Sequence, residues 1–386
     1  MVPLTLGLVL GAFIGSFLNV CVHRLPRNES VVTPPSRCYA CGTRIRWYDN
    51  LPLIGYLMLR GRCRFCGTRF SVHYLAVELL VALLTGAVCW WAFAAPGGVA
   101  PLLGVDTADE LYWIAHWRPA FAPVVTAAAT LVLVYYVLVC SLVDQHHEII
   151  PDELTKPMQV VGPVLAVLAP FALRIDMGVQ WHWFTVSRLD GPVVQPLAAV
   201  APVSGWVLGT LVALVLSLPL ARWVYSRFCP ASERWSPIEH RALAIGVFWY
   251  VGATLLAYLA WIVLVFTVDA RNPVGFTLSV HGAQALLGSI AGWTGLYAIG
   301  LIGTMVFRRN AMGFGDVKFL APLGAVVGPG GVLVTFLLAS FAATAVGVPA
   351  LLLGRSTRIR FGPFLGFGFL GTLVFGPQIV ATLFGI

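Results

Sequence analysis

The sequence predicts an all-α fold, a polytopic membrane helical bundle of about ten spans that carries a small cytoplasmic zinc loop. Three observations predict it. The 386 residues are 59% hydrophobic and only 10% charged, more apolar surface than a soluble domain can hide. Apolar runs near the bilayer-spanning length of roughly 20 residues recur from end to end. The arginines and lysines gather in the short segments between those runs, so the net charge of +8 reads as membrane topology and not as a nucleic-acid surface.

Taken in order, the spans fall near 2 to 22, 75 to 95, 121 to 143, 157 to 173, 200 to 221, 243 to 268, 281 to 307, 319 to 328, 331 to 354 and 363 to 384. The first has no positive start and runs into "HRLPRNES" without a small-residue cleavage site, so it reads as a retained helix. Alternate loops should carry the basic excess on the cytoplasmic side. The loop from His23 to Tyr74 does, with Arg24, Arg37, Arg46, Arg60 and Arg64 among others. So do the segments at Arg222, Arg227, Arg234 and Arg241, at Arg308, Arg309 and Lys318, and at Arg355, Arg358 and Arg360. The other side receives "GVDTADE", the segment near Trp181, the loop at Asp269 and the turn "GPGG" at 328 to 331.

Between the first two spans lie "CYACG" (Cys38, Cys41) and "GRCRFCG" (Cys63, Cys66). Two Cys-x-x-Cys knuckles supply four thiolates for one tetrahedral zinc, and the following glycines permit the tight turns. Disulfides are the alternative, disfavoured in a loop predicted to face the reducing cytoplasm. Four thiolates leave no open coordination position, so the ion is structural. Cys21, Cys89, Cys140 and Cys229 sit in or beside apolar spans and read as packing residues.

Two acidic motifs fall at predicted cytoplasmic ends of spans: "SLVDQHHEIIPDELT", with Asp144 closing the third span, and "GFGD", with Asp316. An ionisable side chain at membrane depth costs about 2.5 to 3.5 kcal/mol, so it is kept for a partner or a water-filled site. Asp152 and Glu153 read as acids at a helix start. Gly313 and Gly315 would each weaken a helix by about 1 kcal/mol, which points to unusual backbone angles or a close approach beside Asp316. Two carboxylates sharing a proton can hydrolyse a peptide, one activating water and the other polarising the carbonyl. Asp144 and Asp316 share a predicted side and depth. His146 and His147 point in different directions on a helix, with no third ligand evident. Glu78, in the second span, reads as a buried functional acid or as a partner for loop arginines. No phosphate loop, nucleophile elbow or His-Glu-x-x-His helix occurs.

Several stretches in order resemble the type IV prepilin leader peptidases, of the Gly-x-Gly-Asp class of membrane aspartyl proteases. They are "GAFIGSFLNVCVHRLP", "PPSRCYACGTRIRWYDNLPLIGYLMLRGRCRFCG", "VELLVALL", "LVDQHHEIIPDELT", "AMGFGDVKFLAPLGA" and "RFGPFLGFG". The resemblance implies a bacterial inner-membrane enzyme with its active site toward the cytoplasm. It would cut the basic leader from prepilins or pseudopilins and methylate the new N-terminal residue from S-adenosylmethionine. By position, Asp144 and Asp316 are the implied catalytic pair, with Gly313, Gly315 and Lys318 supporting the second, and Cys38, Cys41, Cys63 and Cys66 are the implied zinc ligands. His146 stands where the family commonly has a second aspartate. Residues 174 to 279 have no counterpart in the resemblance and read as a two-helix insertion into an eight-span core.

The expected organisation is therefore a first helix over 1–22, a zinc domain over 23–74 associated with methyl transfer, and a peptidase bundle over 75–386. Expected partners are prepilins and membrane lipid, with no nucleic acid. The alternatives are a prepilin-type peptidase without methyl transfer, and a non-enzymatic zinc-bearing scaffold.

Overall fold

The computed structural model describes residues 2–94, 121–168, 196–230, 236–267, 273–354 and 359–384. Among them the apolar runs are helical, and extended pairing is limited to two isolated bridges in the cysteine loop. Lipid offers backbone groups no hydrogen bonds, so a spanning segment must satisfy its own. The helices are α1 (Val2–Arg24), a short α2 (Ile54–Met58), α3 (Val72–Ala94), α4 (Phe121–His147), α5 (Asp152–Leu168), α6 (Pro196–Phe228), α7 (Pro237–Thr267), α8 (Pro273–Phe307), α9 (Phe314–Leu352) and α10 (Gly362–Phe384).

Seven of these, α1, α3, α4, α6, α7, α8 and α9, are long and apolar enough to cross a membrane. The 39 residues of α9 would reach about 58 Å as one straight rod, nearly twice a hydrocarbon core. The helix breaks at Gly328, whose φ of 69° and ψ of 176° lie outside helical space. The two spans expected over 319 to 328 and 331 to 354 are thus two helices divided at the "GPGG" turn, as the sequence predicts. The loops expected at "GVDTADE", Trp181 and Asp269 lie outside the described residues, as do residues 174–195 of the expected insertion and Arg234, Arg355 and Arg358.

The chain forms two compact units, Met1–Pro151 and Asp152–Ile386. In the first, α1 and α3 meet along a seam of small residues. A methyl group on Gly7 would stand 2.9 Å from the Gly86 Cα, on Gly11 2.7 Å from the Ala82 Cα, and on Gly15 2.8 Å from the Glu78 Cα. Glycine at every fourth position lets backbones touch where the solvent is lipid and apolar burial drives nothing. α4 packs on both partners, and the Thr85 and Tyr135 hydroxyls share a 2.7 Å hydrogen bond.

In the second unit α8 and α9 approach just as closely. A methyl group on Gly288 would lie 2.1 Å from the Gly324 carbonyl oxygen, and one on Gly324 2.3 Å from that of Gly288. α5 uses Gly162 in the same way against Pro322. α10 closes on α9 through a 2.9 Å hydrogen bond from the Thr335 hydroxyl to Thr372. Trp293 is wholly buried and stacks on Tyr250, ring centroids 4.9 Å apart, which fixes α7 against α8.

Candidate functional site

The cysteine loop is built from two copies of one turn. Cys38 donates its N–H to the Thr43 carbonyl and Gly42 returns one to Cys38; Cys63, Thr68 and Gly67 repeat the arrangement. Gly42 and Gly67 have φ of 69° and 72°, which only glycine adopts without strain, so the turn glycines do what the sequence reading asks of them. The four sulfurs lie within 4.8 Å of one another, with Cys38 to Cys66 at 3.8 Å and Cys41 to Cys63 at 4.0 Å. Sulfurs at the corners of a tetrahedron with about 2.3 Å Zn–S bonds stand close to that spacing. The donor set therefore fits one structural zinc. All eight cysteines are free thiols. Hydrogen bonding to Thr68 brings the Cys66 thiol down to about 6, while the Cys38 thiol is pushed up to about 11, so the fit to a metal rests on the sulfur spacing. Between the second pair, Arg64 grips Asp49 with two bonds of 2.8 and 2.5 Å, and the guanidinium holds that carboxyl below its usual range.

Glu78 fastens this loop to the helices. It is buried on α3, and its Oε2 accepts the Leu53 N–H at 2.8 Å. Leu53 has a left-handed φ of 60°, a conformation costly for a leucine that the buried bond helps to hold. Of the two readings of Glu78, the partner is thus a loop backbone group and not a loop arginine.

Asp144 lies in the last turn of α4 and is 9% exposed. Its carbonyl accepts the Glu148 N–H, and Glu148, with φ of 58°, ends the helix before Pro151. His146 sits among other imidazoles, 5.8 Å from His73, 6.4 Å from His23 and 6.5 Å from His147 between ring centroids. These rings join the end of α4 to the end of α1 and the start of α3. Among the described residues only the four cysteines bring three or more ligand atoms together, so the histidines form no metal centre there.

In the second unit, Asp316 lies in the first turn of α9 and is 8% exposed. A carboxylate is favoured at that end of a helix dipole. Gly313 caps the helix with φ of −70° and ψ of 139°, angles open to any residue, and a methyl group there would meet only the Asp316 carboxylate, at 3.7 Å. The unusual backbone expected at Gly313 is therefore not present: the residue ends a loop and starts a helix.

The close packing falls one turn further on. Lys318, 9% exposed, places its Nζ 2.5 Å from Asp152 Oδ1, while Lys156 reaches Oδ2 of the same carboxylate at 3.0 Å. Partial burial opposes ionisation of Asp152, but the hydrogen bonds and charges of Lys318 and Lys156 outweigh it and hold the carboxyl below its usual value. Lys318 also lies over the Phe314 ring, 4.7 Å from its centroid. Phe314 leans edge-on against Trp293 at 5.5 Å. Gly246 of α7 makes room for both, since a methyl group there would stand 2.7 Å from the Phe314 ring and 3.2 Å from Lys318 Cε. Asp152 does start α5, as its acidic first turn predicts; its grip on Lys318, and the parts of Gly246 and Trp293, escape a reading of the sequence.

A multi-pass helical membrane protein with a four-cysteine loop after its first helix is the class that fold and site define. The model of the bacterial peptidase A24 N-terminal domain matches residues 9–93, and that of the type IV leader peptidase family matches 244–348. In these two stretches the chain is similar to the type IV leader peptidase family. The first match holds the four cysteines and Glu78, the second Asp316 and Lys318, and Asp144 falls between them. The second match takes in α7, which overlaps the insertion read over 174 to 279.

Among curated relatives, a prepilin leader peptidase/N-methyltransferase of Myxococcus xanthus is 38% identical over 168 residues, 44% of this chain and 40% of its own. One of Pseudomonas aeruginosa is 30% identical over 192 residues, 44% of this chain and 56% of its own, and one of Neisseria gonorrhoeae is 27% identical over 184 residues, 41% and 53%. The matched stretch thus spans about half the length of these relatives. No solved structure matches the chain.

Proposed function

We propose that this chain is an aspartyl endopeptidase of the bacterial inner membrane that removes the basic leader of prepilins or pseudopilins, with Asp144 and Asp316 as its catalytic pair. One carboxylate takes a proton from water, the hydroxide adds to the scissile carbonyl polarised by the protonated partner, and that proton passes to the leaving amine. The observation that carries this reading is the Lys318–Asp152 pair. Seven residues separate Asp144 from Asp152 in the chain, and Asp152 is fastened two residues from Asp316. Each aspartate is buried at a helix end, Asp144 in the last turn of α4 and Asp316 in the first turn of α9, as a catalytic carboxylate at a membrane boundary requires.

The basic loops support a cytoplasmic site, and a leader that is basic above an apolar helix would be cut where the two meet. The zinc loop over 23–74, held by Cys38, Cys41, Cys63 and Cys66, serves the methyl transfer named for the relatives, and the bundle over 75–386 serves cleavage. S-adenosylmethionine, when bound, supplies a methyl group to the amine freed by cleavage, the S–C electron pair staying on sulfur and the amine losing a proton to water. The chain's own part is to present that amine at the membrane boundary beside a site for the donor. Incubation of the purified protein with a prepilin, with and without S-adenosylmethionine, tests both activities by intact mass. Leader loss alone establishes a peptidase without methylation, and leader loss plus about 14 Da establishes both.

A further inference from the structure

Gly300, Gly303 and Gly313 surround the connection between α8 and α9, and packing asks for glycine only at Gly303. A methyl group there would stand 2.8 Å from the Ala311 Cβ, so Gly303 lets the connecting loop lie on the helix. A methyl group on Gly300 would meet Met312 Cβ at 3.5 Å, an ordinary contact, and one on Gly313 would meet only the Asp316 carboxylate, at 3.7 Å. Gly300 lies inside α8, where glycine is the poorest helix former after proline, and the backbone angles of Gly313 suit any residue. Neither packing nor backbone strain explains why these two positions lack a side chain.

What they leave is a recess. Tyr225, Tyr297, Met312 and Phe314 wall it together with the two glycines, and it holds about 230 Å³ of empty space when its open mouth is counted. Its closed part has room for about one water molecule, which is also about the size of a methyl group. Gly300, Tyr225 and Tyr297 are buried and form the inner end, whereas Gly313 is exposed and stands at the rim. The walls are braced. The Thr304 hydroxyl donates to the Gly300 carbonyl at 2.7 Å and accepts the Ala311 N–H at 3.4 Å, which fastens the loop carrying Met312 to α8. The Tyr297 hydroxyl lies 3.2 Å from Ser217 Oγ of α6.

Position gives the recess its occupant. A group lying over Gly313 is within van der Waals reach of the Asp316 carboxylate, because only 3.7 Å separates that carboxylate from the place a Gly313 Cβ would take. Asp316 acts on the scissile bond, so the substrate atoms nearest to it belong to the residues that flank that bond. The lining, among the described residues, carries no charged side chain, which excludes the basic part of the leader. We infer that this recess seats a residue flanking the scissile bond and, with Met312 as its stop, limits that residue to about the size of alanine. The inference rests on the peptidase reading above and adds to it the residues that select the cleavage point.

The experiment uses the full zinc-loaded chain in lipid nanodiscs and prepilins in which each residue flanking the bond is varied in turn through glycine, alanine, valine and leucine. Cleavage is followed by mass as kcat/KM, with the unfolding temperature measured alongside. Gly300→Ala is expected to unfold at or above the wild-type temperature yet to cut about tenfold more slowly, the effect of one overlapping methyl group in a closed site. That loss should deepen as the side chain at one flanking position grows. Gly313→Ala, on a backbone that suits any residue, is the second variant and should show the same dependence. Met312→Ala, which opens the recess, should cut a valine-bearing prepilin that wild type leaves intact. If wild type trims prepilin but both glycine variants cut every substrate as it does, or lose the same factor on all of them, the recess assignment is overturned while the peptidase reading stands. A Met312→Ala enzyme that accepts nothing larger than wild type does overturns it too. If wild type trims no prepilin, or Asp316→Asn trims as fast as wild type, the peptidase reading falls and the assignment with it.

Discussion

Lys318 Nζ stands 2.5 Å from Asp152 Oδ1, an ion pair that locks the start of α5 to the start of α9 two residues past Asp316. Lys318→Met should lower the thermal stability of the second unit by about 1.5 kcal/mol, the low end for a charged hydrogen bond because Asp152 is partly exposed. Turnover of prepilin should fall more than its KM rises, and Lys318→Arg should restore part of both. Because the Asp152 carboxyl is held below its usual value, the pair's contribution is complete above the unfolded value of about 3.9 and is lost as pH falls through the lower folded value. Unfolding of wild type against Lys318→Met from pH 7 to 3 checks this: the gap should be constant to about pH 5 and then close.

The cysteine loop should hold one zinc per chain, because its four sulfurs already stand within 4.8 Å of one another. Cys63→Ser should lose the metal by elemental analysis of the purified protein. Chelation should open the loop to trypsin while the second unit stays folded, since the ion binds no residue there.

Glu78→Leu removes the acceptor of the Leu53 N–H and leaves Leu53 with a left-handed φ and no buried anchor. The loop should then be cut by trypsin at Arg60, Arg62 or Arg64 about tenfold faster than in wild type, as expected for the loss of one charged hydrogen bond. Limited proteolysis with fragment mass measures the ratio.

Gly288 and Gly324 face one another so closely that either carries a large penalty for a methyl group. Gly288→Ala should force α8 from α9 and lower stability by about 1 to 3 kcal/mol, the usual cost of overpacking. Gly209, around which nothing stands within 4 Å, supplies the control, since Gly209→Ala should be neutral or slightly stabilising.

Much of this was legible in the residues, and for physical reasons. Hydrophobic length predicts helices because lipid forces the backbone to satisfy itself, and the cysteine spacing with Gly42 and Gly67 specifies a turn that allows few alternatives. The Gly7, Gly11, Gly15 seam was present as a four-residue spacing, although its partner on α3 could come only from coordinates. Lys318 with Asp152 was illegible, because residues 166 apart in the chain meet through helix packing that no local pattern encodes. Gly246 and Trp293 were hidden for the same reason. At Gly313 the glycines before an acid suggested unusual angles or a close backbone, whereas the residue is an ordinary helix cap with only the Asp316 carboxylate nearby. The break at Gly328 was readable, because Gly-Pro-Gly-Gly cannot continue a helix.

The central claim is that Asp144 and Asp316 together hydrolyse the leader bond. The most direct measurement is the intact mass of a prepilin after incubation with wild type, Asp144→Asn and Asp316→Asn in nanodiscs, each variant first shown to retain zinc and wild-type unfolding temperature. The account predicts trimmed pilin with wild type and only uncut substrate with either variant. Trimming by either variant at the wild-type rate would contradict it.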